Sequence, residues 1–198
     1  MSNRTASRVG IYAGTFDPVH AGHLAFALQA IEAAKLDAVY LMPERTPVRK
    51  PHVTHYAHRV AMISHATQPY LDIEVLETED RAFSVVKTLP RLEARFSGAQ
   101  LIFICGSDVL AYMHTWPRIE QLLMRAELCV GVRQGESRAS VEKAIQDLPV
   151  KPLVVTVIDS YAAFVSSSTI RGAIRSHRYT SGLLQSVVVY AKREWLYV

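Results

Sequence analysis

Apolar residues gather in short unbroken runs, and between those runs they recur every three or four positions. Short runs bounded by turn formers are the pattern of buried strands, and the wider spacing is that of amphipathic helices. On this basis residues 9–13, 38–42, 101–105, 128–132 and 153–158 are strands, and 71–76, which alternates apolar and polar, is a strand nearer an edge. Helices are predicted over 23–36, 55–67, 84–96, 119–125, 140–146, 167–175 and 183–195. The first of them carries Leu24, Ala27, Leu28, Ile31 and Ala34 on one face. Pro43 stops the second strand, and Pro90 predicts a kink or break in the third helix. The run 101–105 is the most apolar and predicts the central strand. Strands alternating with helices predict an α/β fold, a doubly wound parallel sheet in a single domain over 1–198. The C-terminal helices, about 166–198, form a subregion of it. Such a sheet binds its ligand at the carboxyl ends of the strands, where the strand order reverses.

Composition narrows the setting. The chain has 198 residues, 49% hydrophobic and 20% charged. At that length roughly 70% of the unfolded surface is buried, so the core needs no covalent staples. Cys105 and Cys129 both lie in apolar runs, which predicts buried free thiols and a reducing, cytoplasmic compartment. No apolar stretch is long enough for a spanning helix, so no membrane is implied. Residues 1–8 are polar and lack the apolar segment of a secretory signal. A formal charge of +4 from scattered basic residues gives a mild attraction for anions without implying a nucleic-acid partner. Whether the chain forms a homo-oligomer stays open.

The chemistry sits where the strands end. After the first strand come Gly14-Thr15-Phe16-Asp17-Pro18-Val19-His20-Ala21-Gly22-His23, after the 101–105 strand Gly106-Ser107-Asp108, and before a late helix Val165-Ser166-Ser167-Ser168-Thr169-Ile170-Arg171. Gly14 allows a sharp turn and close approach of a ligand to the main chain, and Thr15 offers an N–H and a hydroxyl beside it. With a helix starting near Gly22, His20 and His23 sit at its N-terminal end, where backbone donors and the dipole favour an anion. Two imidazoles aimed at one point suit a polyphosphate, whose oxygens gain charge as a phosphoryl bond breaks. Taken alone, a His pair three apart reads first as ordinary helix-start residues, with a transition-metal site the weaker alternative. No Cys or third His stands nearby at metal-ligand spacing. Asp17 reads as a structural residue satisfying loop N–H groups. The nine glycines form neither a dinucleotide fingerprint nor a P-loop, and there is no nucleophile elbow.

His20-Ala21-Gly22-His23 resembles the H-x-G-H signature of the nucleotidylyltransferase superfamily. Residues 13–23 resemble the opening motif of bacterial nicotinate-nucleotide adenylyltransferases, and 165–171 their late Ser-Ser-Thr-x-Ile-Arg motif. Gly106-Ser107-Asp108 with Thr115-Trp116, and the tail 187–197, complete the likeness over nearly the whole chain. The resemblance implies a Rossmann-like nucleotidylyltransferase fold and an ATP-dependent adenylyl transfer to the 5′-phosphate of nicotinate, or nicotinamide, mononucleotide in NAD biosynthesis, with pyrophosphate released. It implies catalytic roles for His20, His23 and Arg171, and ATP contacts from these and from Gly14, Thr15, Phe16, Gly106, Asp108, Ser167 and Ser168. Trp116, Lys50, Thr88 and Arg133 would bind the pyridine nucleotide, with Arg49 and Lys50 as a basic clamp. Mg²⁺ would accompany ATP, held mostly by phosphate and water, with no dedicated protein metal site.

The chain departs from that pattern at Ala13, at Ser168, at Arg133-Gln134-Gly135 and, most, at Phe83-Ser84-Val85-Val86-Lys87. The last departure touches the pyridine pocket and leaves the acid-versus-amide choice open. Two other readings are a related transferase acting on another phosphate, such as phosphopantetheine, and a non-catalytic nucleotide sensor. The single-domain length and the absence of a Lys-Met-Ser-Lys-Ser loop set it apart from the aminoacyl-tRNA synthetases that share the H-x-G-H.

Overall fold

A computed structural model describes residues 7–47, 50, 52–133, 135–159 and 165–198. Six strands alternate with helices: β1 (Arg8–Gly14), α1 (Ala21–Ala34), β2 (Ala38–Pro43), α2 (Tyr56–Thr67), β3 (Ile73–Val75), α3 (Thr88–Arg95) and β4 (Gln100–Gly106). The chain continues through α4 (Ser107–Met113), α5 (Ile119–Arg125), β5 (Ala126–Val132), α6 (Arg138–Gln146), β6 (Val155–Asp159), α7 (Ser167–Arg175) and α8 (Gln185–Arg193). The strands form one sheet in the order β3-β2-β1-β4-β5-β6, with every neighbouring pair parallel. From β1 the chain winds outward to β3, then returns to β4 and winds out the other way. The order therefore reverses between β1 and β4, and the doubly wound fold is as the alternation predicted.

Side chains alternate along each strand and feed two cores. Val9, Ile11, Leu101, Phe103, Cys105, Leu128 and Val130 face one side with the buried residues of α3–α6. Val39, Leu41, Ile102, Ile104 and Cys129 face the other with α1, α2 and α8. Cys105 and Cys129 are thus buried free thiols on opposite faces of the sheet, and burial pushes both thiol pKa values up, Cys129 to about 12. A small third cluster, Ile170, Ile174, Val188 and Ala191, joins α7 to α8. No helix among the described residues is long and apolar enough to cross a membrane.

Two elements differ from the sequence reading. The helix expected over 84–96 starts only at Thr88, which places Pro90 in its first turn. An N–H there has no intrahelical partner to lose, so Pro90 neither kinks nor breaks α3. The second difference is α4, one helix of seven residues that follows β4 with no intervening loop. Its brevity gave no helical period to read.

Gly131 on β5 lets α1 approach the sheet: a Cβ there would lie 2.5 Å from the Phe26 ring, itself edge-on to Tyr12 at 5.3 Å. Gly131→Ala should lower stability by about 1–3 kcal/mol, the range for overpacking a filled core. Denaturant unfolding measures it, and an unchanged midpoint would show the contact to be soft.

Candidate active site

The turn after β1 is built around Phe16, which adopts a left-handed backbone with φ 50° and is buried. Its ring meets Tyr12 at 5.4 Å and His23 at 4.9 Å, both edge to face. A Cβ on Gly14 would lie 3.1 Å from that ring, so the glycine lets the ring tuck under the turn. Phe16 therefore packs against His23 and is itself withdrawn from solvent.

His20 is the N-cap of α1 with extended backbone, and its N–H donates to His23 Nδ1 at 3.2 Å. The two rings stack with centroids 3.7 Å apart and 30° between planes. Burial, helped by the charge of Arg133, pushes the His20 pKa down to about 4. Burial also holds His23 well below its usual value, with His20, Arg133 and Lys50 adding to the effect. Both imidazoles are then neutral at pH 7. Because His23 Nδ1 accepts a hydrogen bond, its proton belongs on Nε2, which leaves that atom a donor. His20 Nδ1 is buried and has no partner among the described residues. The start of α1 thus carries two stacked neutral imidazoles, one with a donor at Nε2 and one with an unanswered ring nitrogen.

The start of α7 docks on the same turn. Ser167 Oγ donates to the Pro18 carbonyl at 3.0 Å, and Arg171 Nη1 donates to the Asp17 carbonyl at 2.7 Å. Ser166 caps the helix by accepting the Thr169 N–H at 3.1 Å. The N–H groups of the first α7 turn at Ser167 and Ser168 have no intrahelical acceptor, and the Ser168 side chain is exposed. Asp17 is buried: one carboxylate oxygen accepts the Tyr197 hydroxyl at 2.7 Å and the other the Thr54 N–H at 3.3 Å. It is a structural hub, in line with the sequence reading.

At the ends of β4 and β5, Asp108 Oδ1 accepts from Arg133 Nε at 2.8 Å, and buried Ser107 Oγ accepts from the Arg133 N–H at 2.9 Å. Gly106 leaves room for this pair, since a Cβ there would sit 3.2 Å from Arg133 Nε. Asp108 and Arg133 are both exposed. Trp116 is half-buried, with Phe83 at 5.7 Å and Phe103 edge-on at 5.8 Å. Thr88 stands apart. Its buried hydroxyl accepts from the Ser84 N–H at 3.0 Å and donates to Asp80 at 2.8 Å, so it holds the segment before α3 and is not presented to a ligand. Lys50 is exposed, near enough for its charge to act on His23. Arg49 and Gln134 lie outside the described residues.

Sequence reasoning passed over Arg59, which is fully buried and donates to the carbonyls of Thr15 at 2.7 Å, Glu44 at 2.7 Å, Thr54 at 2.9 Å and Arg45 at 3.2 Å. The signal was present: Arg59 shares the buried helical stripe of Met62, Ile63 and Ala66. A lone arginine on a core-facing stripe must find acceptors inside. Ser107 and Tyr197 were likewise unassigned, and both hold site residues in place.

A parallel sheet with a glycine turn and paired imidazoles at its switch point, beside a second helix start bearing an arginine, is the arrangement expected of a nucleotidylyltransferase. The sequence profile of the Cytidylyltransferase-like family matches residues 11–173. A probable nicotinate-nucleotide adenylyltransferase of Solibacter usitatus (strain Ellin6076) is 33% identical over 196 residues, covering 96% of this chain and 99% of that one. The nicotinate-nucleotide adenylyltransferase of Bacillus subtilis (strain 168) is 31% identical, covering 96% and 98%. The chain belongs to the nicotinate-nucleotide adenylyltransferase family. Its fold matches that of the Plasmodium falciparum nicotinic acid mononucleotide adenylyltransferase complexed with NaAD, with TM-score 0.79 at 18% identity, over 96% of this chain and 97% of that one.

The His20 shift fixes a pH dependence. The folded pKa of about 4 lies below the ordinary value of 6.5, so the unfolded chain takes up the proton first. The stability contribution is complete above pH 6.5 and is lost as pH falls toward 4. An NMR titration of the free protein should place the His20 midpoint near 4, and a midpoint near 6.5 would contradict the buried neutral ring.

Proposed function

We propose that the protein transfers the adenylyl group of ATP to the 5′-phosphate of nicotinate mononucleotide and releases pyrophosphate. The observation that carries this reading is the neutral, stacked His20–His23 pair at the start of α1, beside the α7 start with Arg171. Family membership supplies the reaction class, and the site residues supply a way to perform it.

In the reaction an oxygen of the mononucleotide phosphate forms a bond to the α-phosphorus of ATP. The bond from that phosphorus to the bridging oxygen breaks, and the electron pair leaves with pyrophosphate. The attacking phosphate is already ionised, so no side chain need act as a covalent nucleophile. Alignment and charge stabilisation suffice. His23 Nε2–H donates to a phosphate oxygen, and His20 stands beside it. As negative charge builds on the leaving group, a neutral donor pair strengthens its hydrogen bonds without the cost of desolvating a second cation. Gly14 and the Thr15 backbone face the α-phosphate, while the α7 first turn and the Arg171 fork receive the terminal phosphates.

Gly106 and Asp108 border the adenosine, where a carboxylate suits ribose hydroxyls. Trp116 offers an indole face to the pyridine ring, and Lys50 and Arg133 offer charge to the mononucleotide. Thr88 contributes indirectly, by holding the segment that carries Phe83 against Trp116. Mg²⁺ enters as part of the substrate, MgATP. Among the described residues no cluster of three or more His, Cys, Asp or Glu could hold a metal, and an ion that keeps phosphate and water ligands needs no such cage.

Purified protein with MgATP and nicotinate mononucleotide should release pyrophosphate and form the dinucleotide. A parallel assay with nicotinamide mononucleotide reads the acid-versus-amide choice. His20→Ala and His23→Ala should each lower turnover by about two to four orders of magnitude. Parent rates in both variants would remove the imidazoles from the mechanism, and ATP binding without product from either mononucleotide would mark a sensor.

A further inference from the structure

Arg59 is the only fully buried arginine among the described residues, and its surroundings are unusual for a cation. All four of its hydrogen bonds go to backbone carbonyls: Thr15 in the turn after β1, Glu44 and Arg45 after β2, and Thr54 before α2. Its nitrogens make no ion pair with a carboxylate among the described residues. The buried carboxylate of Asp17 is taken by Tyr197 and the Thr54 N–H. The fields of Asp17 and Glu44 offset burial only in part, and burial dominates. Four carbonyls that merely needed donors could be served by water or a neutral side chain. Burying a charge for that purpose is costly, and the cost calls for something the charge itself does.

We infer that Arg59 is the positioning residue of the triphosphate site, bridging the Thr15 turn to the loop after β2 and keeping beneath that turn a positive charge that a polyanion completes. The inference rests on the proposed function in taking a triphosphate as the ligand. Two features of the side chain are used separately. The planar fork reaches acceptors in three segments at once, which an ammonium group does not. The permanent charge lies against the Thr15 carbonyl, with Nη1 at 2.7 Å, in a low-dielectric interior where charge acts strongly. Lys50, on the bridged loop, then stands where its charge reaches His23.

The test compares the parent with Arg59→Met, which removes charge and fork, and Arg59→Lys, which keeps the charge alone. Inorganic tripolyphosphate binding by calorimetry reads the site without turnover, and kcat and KM for MgATP read the reaction. Arg59→Met should weaken tripolyphosphate binding and raise KM for MgATP by about ten- to a hundredfold in the folded protein. Arg59→Lys should keep tripolyphosphate affinity within about threefold while kcat falls by about tenfold or more, since the turn is no longer held in place. A side chain that only stabilises the fold would lower the melting temperature of both variants and leave the affinity of the folded protein unchanged. That result overturns the inference. Should Arg59→Met not fold, Arg59→Lys decides alone, and parental kcat and KM in it also overturn the inference. A parent that binds tripolyphosphate through Arg59 yet forms no dinucleotide would sink the proposed reaction and leave this role standing.

Discussion

One buried guanidinium meets the carbonyl oxygens of three segments at the carboxyl edge of the sheet, and the proposed role of the site is built on that meeting. Parallel strands end there in loops whose backbone groups have no ladder partner, and each needs a donor once covered. Arg59 supplies donors to the turn after β1 and the loop after β2 together, tying one to the other. Distant chain closes the same turn from the far side. Arg171 and Ser167 bond the carbonyls of Asp17 and Pro18, and Tyr197 bonds the Asp17 carboxylate. Residues from α2, α7 and the C-terminus thus converge on the six residues between β1 and α1 that lead into the imidazole pair.

Charge acts on the same place. His20 and His23 are neutral because they are buried and because Arg133 and Lys50 stand near. The cations around the pair depress its pKa values while the site is free of ligand, and the same cations attract a polyphosphate. A phosphate oxygen bound there would accept a stronger hydrogen bond from a neutral imidazole as its negative charge grows. In the proposed reaction such a site would gain its interactions as charge develops on the leaving group, which is the differential stabilisation that catalysis requires.

The fold was largely legible because its signals were local. The strand bounds of β1 and β2 and the helices 119–125 and 167–175 followed from apolar runs and caps, and the switch point followed from strand–helix alternation. The opening turn was legible because Gly14, His20 and His23 lie within ten residues. What escaped were features defined by neighbours far apart in the chain. The role of Arg59 depends on carbonyls 44, 15 and 14 residues away, plus a nearby one at Thr54. The hydroxyl of Thr88 is captured by Asp80 in a loop with no regular period, and Phe16 turns its ring into the core despite its place in a ligand-facing motif. Pro90 misled because its effect depends on whether a helix has already begun.

A crystal structure of the protein with Mg²⁺ and a non-hydrolysable ATP analogue tests the central claim most directly. The account predicts phosphate oxygens within about 3 Å of His23 Nε2 and the first-turn N–H groups of α7, with the Thr15 turn still bonded to Arg59. Phosphates lodged away from the start of α1, with the two imidazoles untouched, would contradict it.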